Sequence, residues 1–547
     1  MHLFHRRLIP LAALSLILRL LFPTWPARGQ VIEQDSLALV ALYNATDGEN
    51  WFRVSNWLDG PVESWTRVTV VGNRVTELRL FNNRLSGSIP VEIENLDALV
   101  RLDLYGNDFP GPIPAHIGRM PSLKYLNLRR TGLSGSIPPE IGNLVNLEEL
   151  LLSENNLSGA VPAEIGNMTS LTLLYLYNNL LSGPIPSEIG NLTNLKYAWL
   201  SENRFSGSIP ATTGNLTELR SLNLSENLLS GPIPTELGKL TRLMELTLNR
   251  NNLSGSLPSS LGNLVELKHL SLYQNQLTGP IPDSFGNLTR VTSLLMSDNQ
   301  LTGAIPATLG NISNVQTTLA FLDLADNMLS GEIPPSLFNP RYLQRVDLSN
   351  NQLSGIIPAS VGNPIFLKLL WLANNQLTGT VPIELGNQVS LLALGLHDNS
   401  GLSGVLPISL VNLKALNTFT FDNTSLCAPA DSFFQQWLTS VPGLSGTNCT
   451  VPNELESVFP IDYELGENYP NPFSSKTSIR YSLPEPGLVK FSVYNVLGEL
   501  VHSINVGMQP AGRYSQVIRS NDLSSGVYFV SMEVNEFVDI RQIIVLR

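Results

Sequence analysis

The chain has 547 residues, too many for one compact domain of ordinary size, and its 41 glycines and 37 prolines place a turn in every short stretch. Its formal net charge at pH 7 is −12. Because phosphate binding requires clustered lysine and arginine, this acidity argues against nucleic acid and anionic lipid as partners.

The first 29 residues have the pattern of a secretory signal peptide. Two arginines precede an apolar run over residues 8–18, and small residues suit cleavage after Gly29. Arg19 interrupts the run, so an uncleaved membrane anchor is the less favoured alternative. We therefore expect export and removal of residues 1–29.

Residues 30–74 are expected to form an N-terminal cap on the region that begins at residue 75. Asp35 suits a helix N-cap, and the apolar spacing after it predicts an amphipathic helix. Large aromatic side chains in such a segment most often lie in a core. Three of them are expected to do so: Trp51, Trp57 and Trp65.

Residues 75–426 repeat with a period of 24 in the pattern LxxLxLxxNxLxGxIPxxLGNL, with one slip of four residues before Leu324. About fourteen or fifteen repeats follow one another. In the LxL segment, a period of two sends leucines to one face and variable residues to the other, which predicts a strand. One such strand cannot bury its leucines alone, so the repeats must stack as a solenoid.

An asparagine recurs where each strand ends, and we expect its amide to donate to and accept from the backbone of adjacent turns. Thr131 interrupts the series in the third repeat. The predicted ladder contains Asn83, Asn107, Asn155, Asn179, Asn203, Asn227, Asn251, Asn275, Asn299, Asn327, Asn351, Asn375 and Asn399.

These motifs resemble the leucine-rich repeats of the plant-specific subtype over nearly all of residues 75–426. The resemblance implies an α/β solenoid, a curved right-handed horseshoe with a parallel sheet on its inner face. At about 4.8 Å per strand, that sheet would be on the order of 70 Å long. It would have room for an extended partner.

Residues 427–452 are expected to cap the other end of the solenoid. Because the chain is exported, its two cysteines, Cys427 and Cys449, are predicted to form one disulfide. Three aromatic residues are expected to close the last repeat: Phe433, Phe434 and Trp437.

Aromatic and acidic residues occupy variable strand positions, which should face away from the leucines. We expect this concave face to bind a protein, peptide or glycan, with a cationic group favoured by the acids. The alternative is that the aromatic rings only stack along the strands and stabilise the sheet. The expected ligand-binding residues are Phe81, Tyr105, Tyr125, Tyr175, Tyr177, Tyr197, Trp199, Glu154 and Glu202, with Glu149 and Glu226 contributing to the acidic rim.

Enzymatic chemistry has little support. The six histidines are scattered, and no nucleophile with its base, carboxylate pair, metal spacing or phosphate loop can be assembled. The sequence therefore predicts a non-enzymatic protein without a metal or cofactor.

Residues 453–466 have the composition of a linker. Short strand-like runs separated by turns follow over residues 467–547. They predict a small antiparallel β-sandwich of the immunoglobulin kind. Five motifs in order, ENYPNPF, VYNVLGELV, AGRY, LSSGVYFV and IIVLR, resemble the type A C-terminal sorting domain of the type IX secretion system. The motif residues are Tyr469, Pro470, Asn471, Pro472, Phe473, Gly498, Gly526 and Tyr528.

The second resemblance implies a bacterium with two membranes, passage through the periplasm and recognition by outer-membrane secretion machinery. It also implies removal of the domain and attachment to surface lipopolysaccharide or release. Taken with the repeats, it predicts an exported, non-enzymatic binding protein such as a surface adhesin. The alternatives are an inhibitor of a secreted hydrolase, a structural surface-layer component and an enzyme that uses the acidic face.

Overall fold

The computed structural model describes residues 31–312, 319–446, 462–520 and 523–546. The predicted signal peptide, Cys449 and most of the predicted linker lie outside these ranges, so the signal and the disulfide stay predictions. The chain divides into two compact units, Met1–Leu267 and Lys268–Arg547, which are described separately.

The first unit begins with the predicted cap. Its tryptophans form the expected core: Trp51 and Trp57 meet edge to face at 4.7 Å between ring centroids, and Trp57 and Trp65 lie 5.0 Å apart. All three side chains are buried. The elements of the cap are the α-helix Glu33–Ala45, the 3-10 turns Gly48–Asn50 and Val62–Ser64, and the strand Val68–Val71, which pairs antiparallel with Arg74–Arg79.

Asp35 is not the N-cap that the sequence predicted. The helix begins at Glu33, and its N-cap residue makes no side-chain cap bond. Asp35 is instead fully buried inside the first turns, where its Oδ2 accepts from the backbone N–H of Val75 at 2.7 Å and its Oδ1 pairs with Arg74 Nη2 at 3.1 Å. The carboxylate thus joins the cap to the first repeat.

The repeats of the first unit stack their LxL segments as a parallel sheet, as predicted. The middle residue of each three-residue strand is buried, and the flanking residues lie on the opposite face, which we call the open face. The strands are Arg74–Arg79, Arg101–Asp103, Tyr125–Asn127, Glu149–Leu151, Leu173–Tyr175, Tyr197–Trp199, Ser221–Asn223 and Glu245–Thr247.

A second parallel sheet, which the sequence did not predict, forms from the LSG segments. Its strands in the first unit are Ser134–Gly135, Asn156–Gly159, Leu180–Gly183, Arg204–Gly207, Leu228–Gly231 and Asn252–Ser256. The return path contains one 3-10 turn per repeat: Val91–Asn95, Ala115–Arg119, Pro139–Asn143, Ala163–Asn167, Ser187–Asn191, Ala211–Asn215, Thr235–Lys239 and Ser259–Asn263. These turns pack so closely that a Cβ on Gly190 would lie 2.4 Å from the carbonyl oxygen of Thr212.

The asparagine ladder is confirmed, and Asn227 shows its geometry. Its Nδ2 donates to the carbonyl oxygens of Leu200, Leu224 and Ser225 at 3.1, 3.2 and 3.1 Å. Its Oδ1 accepts from the backbone N–H of Phe205 at 3.0 Å. One buried amide therefore joins its own repeat to the preceding one.

Thr131, which stands where the other repeats have asparagine, makes a different set of hydrogen bonds. Its hydroxyl donates to the carbonyl oxygen of Leu128 at 2.6 Å, and its own backbone carbonyl accepts from Phe109 N–H at 2.6 Å. The backbone thus supplies the acceptor that the missing amide would have provided.

The second unit continues the same pattern from Lys268. The strands of its first sheet are His269–Ser271, Ser293–Leu295, Phe321–Asp323, Arg345–Asp347, Leu369–Trp371, Ala393–Gly395, Thr418–Thr420 and Gly443–Ser445. Those of its second sheet are Gln276–Gly279, Gln300–Gly303, Met328–Glu332, Gln352–Ile356, Gln376–Gly379, Gly401–Val405 and Ser425–Cys427. Its 3-10 turns are Asp283–Asn287, Ala307–Asn311, Pro335–Phe338, Ala359–Gly362, Ile383–Asn387 and Ile408–Asn412.

An α-helix, Ser432–Ser440, follows the last repeat. Asp431 caps it by accepting from the backbone N–H of Phe434 at 2.8 Å. Phe434 and Trp437 are buried as expected, but Phe433 is 56% exposed, so the expectation that it helps to close the last repeat is wrong.

The last described strands form two antiparallel sheets around one apolar core. One sheet contains Glu464–Tyr469, Lys476–Leu483 and Gly512–Arg519; the other contains Leu500–Gln509, Gly487–Asn495, Gly526–Val534 and Phe537–Val545. The first strand includes residues 464–466, which the sequence assigned to the linker. Among the described residues, no helix has the length and apolar character needed to cross a membrane.

Candidate ligand-binding site

The predicted aromatic residues of two neighbouring strands meet on the open face of the first unit. Tyr175 and Trp199 lie in register on adjacent strands and stack in parallel, with centroids 4.4 Å apart and planes 6° apart. Tyr177 is tilted against both rings at 5.9 and 6.1 Å. We call these three residues the aromatic patch. All three are only half-buried, whereas the leucines between them are in the core.

An apolar residue lies beside the patch. Leu151 occupies an outward position in register with Tyr175, yet it is only 6% exposed. Tyr175 therefore lies between Leu151 and Trp199. Burial, followed by the nearby Tyr177, raises the pKa of the Tyr175 phenol, so this ring stays neutral in the physiological range.

Two arginines that the sequence analysis did not select hold one edge of the patch. Nη2 of Arg129 donates to the Tyr177 hydroxyl at 2.6 Å and pairs with Glu154 Oε1 at 2.5 Å. Nε of Arg130 pairs with Glu154 Oε2 at 3.3 Å, and its Nη1 donates to the Tyr105 hydroxyl at 3.3 Å. Glu154 is thereby neutralised by two cations, and Tyr105 joins the network through an arginine.

The other edge of the patch carries a hydrogen-bond relay. The indole Nε1 of Trp199 donates to Ser221 Oγ at 2.9 Å, and this hydroxyl donates to Glu245 Oε2 at 3.0 Å. Ser221 is in register with Tyr197 on one adjacent strand and with Glu245 on the other. The sequence analysis selected neither Ser221 nor Glu245, because only aromatic clustering marked the site.

The other predicted aromatic residues do not touch the patch. Phe81 and Tyr125 are each covered by an arginine: Arg67 lies 4.2 Å from the first ring centroid and Arg101 lies 3.4 Å from the second. Tyr197 is half-buried at the start of the strand that ends in Trp199. The structure thus brings together three of the seven predicted aromatics and links Tyr105 indirectly.

The predicted acids differ in how much charge they leave exposed. Glu226 pairs with Arg250 at 2.9 Å, as Glu154 pairs with its two arginines. Burial raises the pKa of Glu149, and the nearby Arg101 opposes this effect. Glu202 is exposed and makes no ion pair within the described part of the chain.

Two residues of the predicted sorting motif have a structural role. The side chain of Asn471 donates to the carbonyl oxygen of Gln542 at 3.2 Å and accepts from Ile544 N–H at 2.9 Å, as a strand partner would. Phe473 is buried, and its backbone exchanges hydrogen bonds of 2.9 Å with Ile544 and Leu546. Asn471 and Phe473 therefore hold the final strand in place.

The rest of the motif divides between surface and core. Gly498 has a φ of 80° in the turn between two strands, a conformation that favours glycine. Gly526 begins a strand, and the buried Tyr528 donates its hydroxyl to the carbonyl oxygen of Ser524 at 3.0 Å. Tyr469, Pro470 and Pro472 are exposed to solvent, as are both glycines.

Sequence profiles of known families match both parts of the chain. The profile described as a leucine-rich repeat region matches residues 112–230, and the shorter leucine-rich repeat profiles match 241–301, 74–96, 318–340, 342–364 and 366–388. The profile described as a secretion system C-terminal sorting domain matches residues 467–546, which indicates export to the cell surface or beyond it. No curated protein matches the chain significantly.

Solved structures give the same result for the repeats. The plant peptide hormone receptor RGFR1, solved in complex with RGF2, is 39% identical with a TM-score of 0.65, over 69% of this chain and 60% of the receptor. A TDR receptor is 31% identical with a TM-score of 0.58, over 68% of this chain and 67% of the receptor.

A leucine-rich repeat protein of Leptospira interrogans is 29% identical with a TM-score of 0.53, and the match covers 68% of this chain and 89% of that protein. This chain thus spans most of the bacterial protein but only 60% of the plant receptor. The protein belongs to the leucine-rich repeat family and ends in a secretion system C-terminal sorting domain.

Proposed function

We propose that the protein is an exported recognition protein that binds a peptide segment of a partner on the open face of its first unit. The observation that carries the proposal is the parallel stack of Tyr175 and Trp199 with Tyr177 tilted against it, half-exposed on a sheet whose leucines already fill the core. Tyrosine and tryptophan are the residues that most often dominate binding energy at interfaces.

The environment of the patch supports a preformed site. Arg129 fixes the Tyr177 hydroxyl, and Ser221 fixes the indole N–H of Trp199, so few rotamers are lost when a ligand binds. Each aromatic contact with a ligand is worth about 0.5–1.5 kcal/mol beyond the area it buries. The plant receptor RGFR1, a peptide hormone receptor, has the same kind of repeats, which favours a peptide over a glycan.

The sorting domain supplies the delivery route. We infer that type IX secretion machinery carries the chain across the outer membrane of a two-membrane bacterium. Attachment to surface lipopolysaccharide would make it an adhesin, and release would make it a secreted binder. Mass spectrometry of the surface and medium fractions distinguishes these outcomes through the C-terminal peptide and any attached lipid.

The test is a peptide and glycan array probed with the full mature chain and with the variant Tyr177→Ala/Trp199→Ala. Binding to peptides that falls at least tenfold in the variant is expected, because two anchoring rings are lost. Trp371→Ala is the matched control, since Trp371 lies at the corresponding strand position in the second unit.

Three results of the array would contradict the proposal. Equal binding by the double variant would remove the aromatic patch from recognition. Binding only to glycans would replace the ligand class. The absence of any saturable ligand would favour a structural surface-layer component.

A further inference from the structure

The two edges of the aromatic patch differ in charge. At the Tyr177 edge, two arginines neutralise Glu154. At the Trp199 edge, Glu245 is exposed and makes no ion pair among the described residues. Of these two carboxylates, only Glu245 keeps a negative charge that no ion pair compensates.

The relay at the Trp199 edge directs hydrogen-bond donors toward Glu245. The indole N–H is used by Ser221, and the hydroxyl proton of Ser221 is used by Glu245 Oε2. Next to them, Asn223 Oδ1 accepts from the backbone N–H and the hydroxyl of Ser225 at 3.0 and 2.8 Å. The edge thus presents a carboxylate and an indole, and the side-chain donors of Trp199, Ser221 and Ser225 are already engaged.

A ligand group that binds this edge must supply hydrogen-bond donors and a positive charge. A sugar hydroxyl both donates and accepts, so it would leave part of its hydrogen-bonding capacity unused here. An ammonium is a compact, strongly hydrated charge, whereas a guanidinium is planar, stacks on an indole and offers two parallel N–H donors to one carboxylate.

We propose that Trp199, Ser221 and Glu245 form a subsite for an arginine side chain of the bound peptide. The guanidinium stacks on the indole and donates to the Glu245 carboxylate, which Ser221 holds beside the ring. Glu202, exposed on the same repeat as Trp199, adds to the negative potential. This inference rests on the proposed peptide-binding function and specifies its ligand class.

The test uses a small probe, so that it does not depend on identifying the partner. N-acetyl-arginine methylamide is titrated into the full mature chain labelled with ¹⁵N-tryptophan, and the Trp199 indole signal is assigned by its absence in Trp199→Phe. The probe should shift this signal with a Kd of about 1 mM. The citrulline analogue, which has the same shape without the charge, should bind at least tenfold more weakly.

Variants separate the subsite from general attraction to an acidic protein. Glu245→Gln should weaken the arginine probe roughly fivefold, because it removes the charge partner without removing the indole. Glu236→Gln is the matched control: it also removes one carboxylate from the first unit, but a partly exposed one on the 3-10 turn of the return path. Its affinity for the probe should be unchanged.

Equal binding of the arginine and citrulline probes, or an equal loss in the two glutamate variants, would overturn the arginine subsite. The peptide array tests the proposed peptide-binding function separately. If array peptides depend on Trp199 but not on Glu245, peptide recognition stands and the arginine specificity fails. If no array peptide binds, the proposed function fails whatever the probe does.

Discussion

The asparagine ladder offers the sharpest test of how the repeats are stabilised, and Asn227→Ala is the perturbation. Alanine leaves the buried N–H of Phe205 without its acceptor at 3.0 Å. The three carbonyls lose one donor each but keep another. Asn203 still donates to Leu200 at 3.3 Å, Asn251 still donates to Leu224 at 3.0 Å, and the backbone N–H of Glu202 still donates to Ser225 at 3.0 Å. Only one group is therefore orphaned.

The size of the loss follows from this count. An orphaned buried donor costs about 1–3 kcal/mol, and each hydrogen bond lost from a carbonyl that keeps a partner costs about 0.5 kcal/mol. We expect Asn227→Ala to lower stability by about 2.5–4.5 kcal/mol. Because each repeat contacts only its neighbours, the loss should be local.

Hydrogen exchange of the full mature chain, followed by mass spectrometry, measures the effect repeat by repeat. Peptides covering residues 200–230 should lose protection, and those of the first and last repeats should not. Asn215→Ala is the control, since Asn215 is an exposed asparagine at the end of the preceding repeat and should change stability by less than about 0.5 kcal/mol. Equal effects of the two variants would refute the ladder as a stabilising element.

Asn227→Asp separates the donor role from the acceptor role. The carboxylate can still accept from Phe205, but it turns an anionic oxygen toward the carbonyl oxygens that Nδ2 now binds. Its pKa should therefore be raised, so stability should be lowest at neutral pH and recover as the pH falls and the group regains a proton. Stability independent of pH would contradict this assignment of donors.

Three further predictions concern other parts of the molecule. Burial raises the pKa of Tyr481 from 10.0 to about 12. The stability that the neutral Tyr481 side chain contributes is therefore complete below pH 10 and is lost as the pH rises toward 12. Absorbance at 295 nm should show one late-titrating tyrosine fewer in Tyr481→Phe. Asn471→Ala should increase hydrogen exchange of the strand Phe537–Val545 while the repeats keep their protection, and unchanged exchange would remove its structural role. Gly190→Ala should lower the urea midpoint of the first unit by an equivalent of about 1–3 kcal/mol, unless the neighbouring turn moves away at no cost.

The first sheet could be predicted from sequence because its leucines alternate with variable residues over every repeat. The second sheet could not. In a segment such as Asn156–Gly159 only the leucine is buried, and the strand ends at a glycine with a φ of 76°. Its backbone becomes a strand through pairing with the next repeat, and no alternation within one repeat signals that pairing.

The candidate site was predictable to the extent that side-chain direction is fixed by the period of two. Tyr175, Tyr177 and Trp199 lie away from the core for that reason. The partners of these rings were not predictable, because arginine and glutamate side chains reach across strands. Arg129 contacts Tyr177 from two repeats away, a distance of 48 residues in sequence.

For the same reason, the sequence could not predict which acidic residues are neutralised by ion pairs. Glu154 and Glu202 occupy equivalent positions two repeats apart, both with φ near 60°, at 60° and 55°. Sequence therefore gives them the same role. The structure separates them, because only Glu154 pairs with arginines of the preceding repeat, which follow the strand Tyr125–Asn127.

The difference in charge between the two edges of the patch bears on the direction in which the proposed peptide would lie. A peptide lying across the strands would meet a neutral, hydrogen-bonded edge at Tyr177, an aromatic centre at Tyr175 and an acidic edge at Glu245. Reversing the peptide would place its cation beside Arg129, where like charges repel. If the proposed peptide binds as inferred, the open face would select the direction of the peptide, and that direction would depend on the arginine pair that neutralises Glu154 rather than on the aromatic rings that make the patch visible in the sequence.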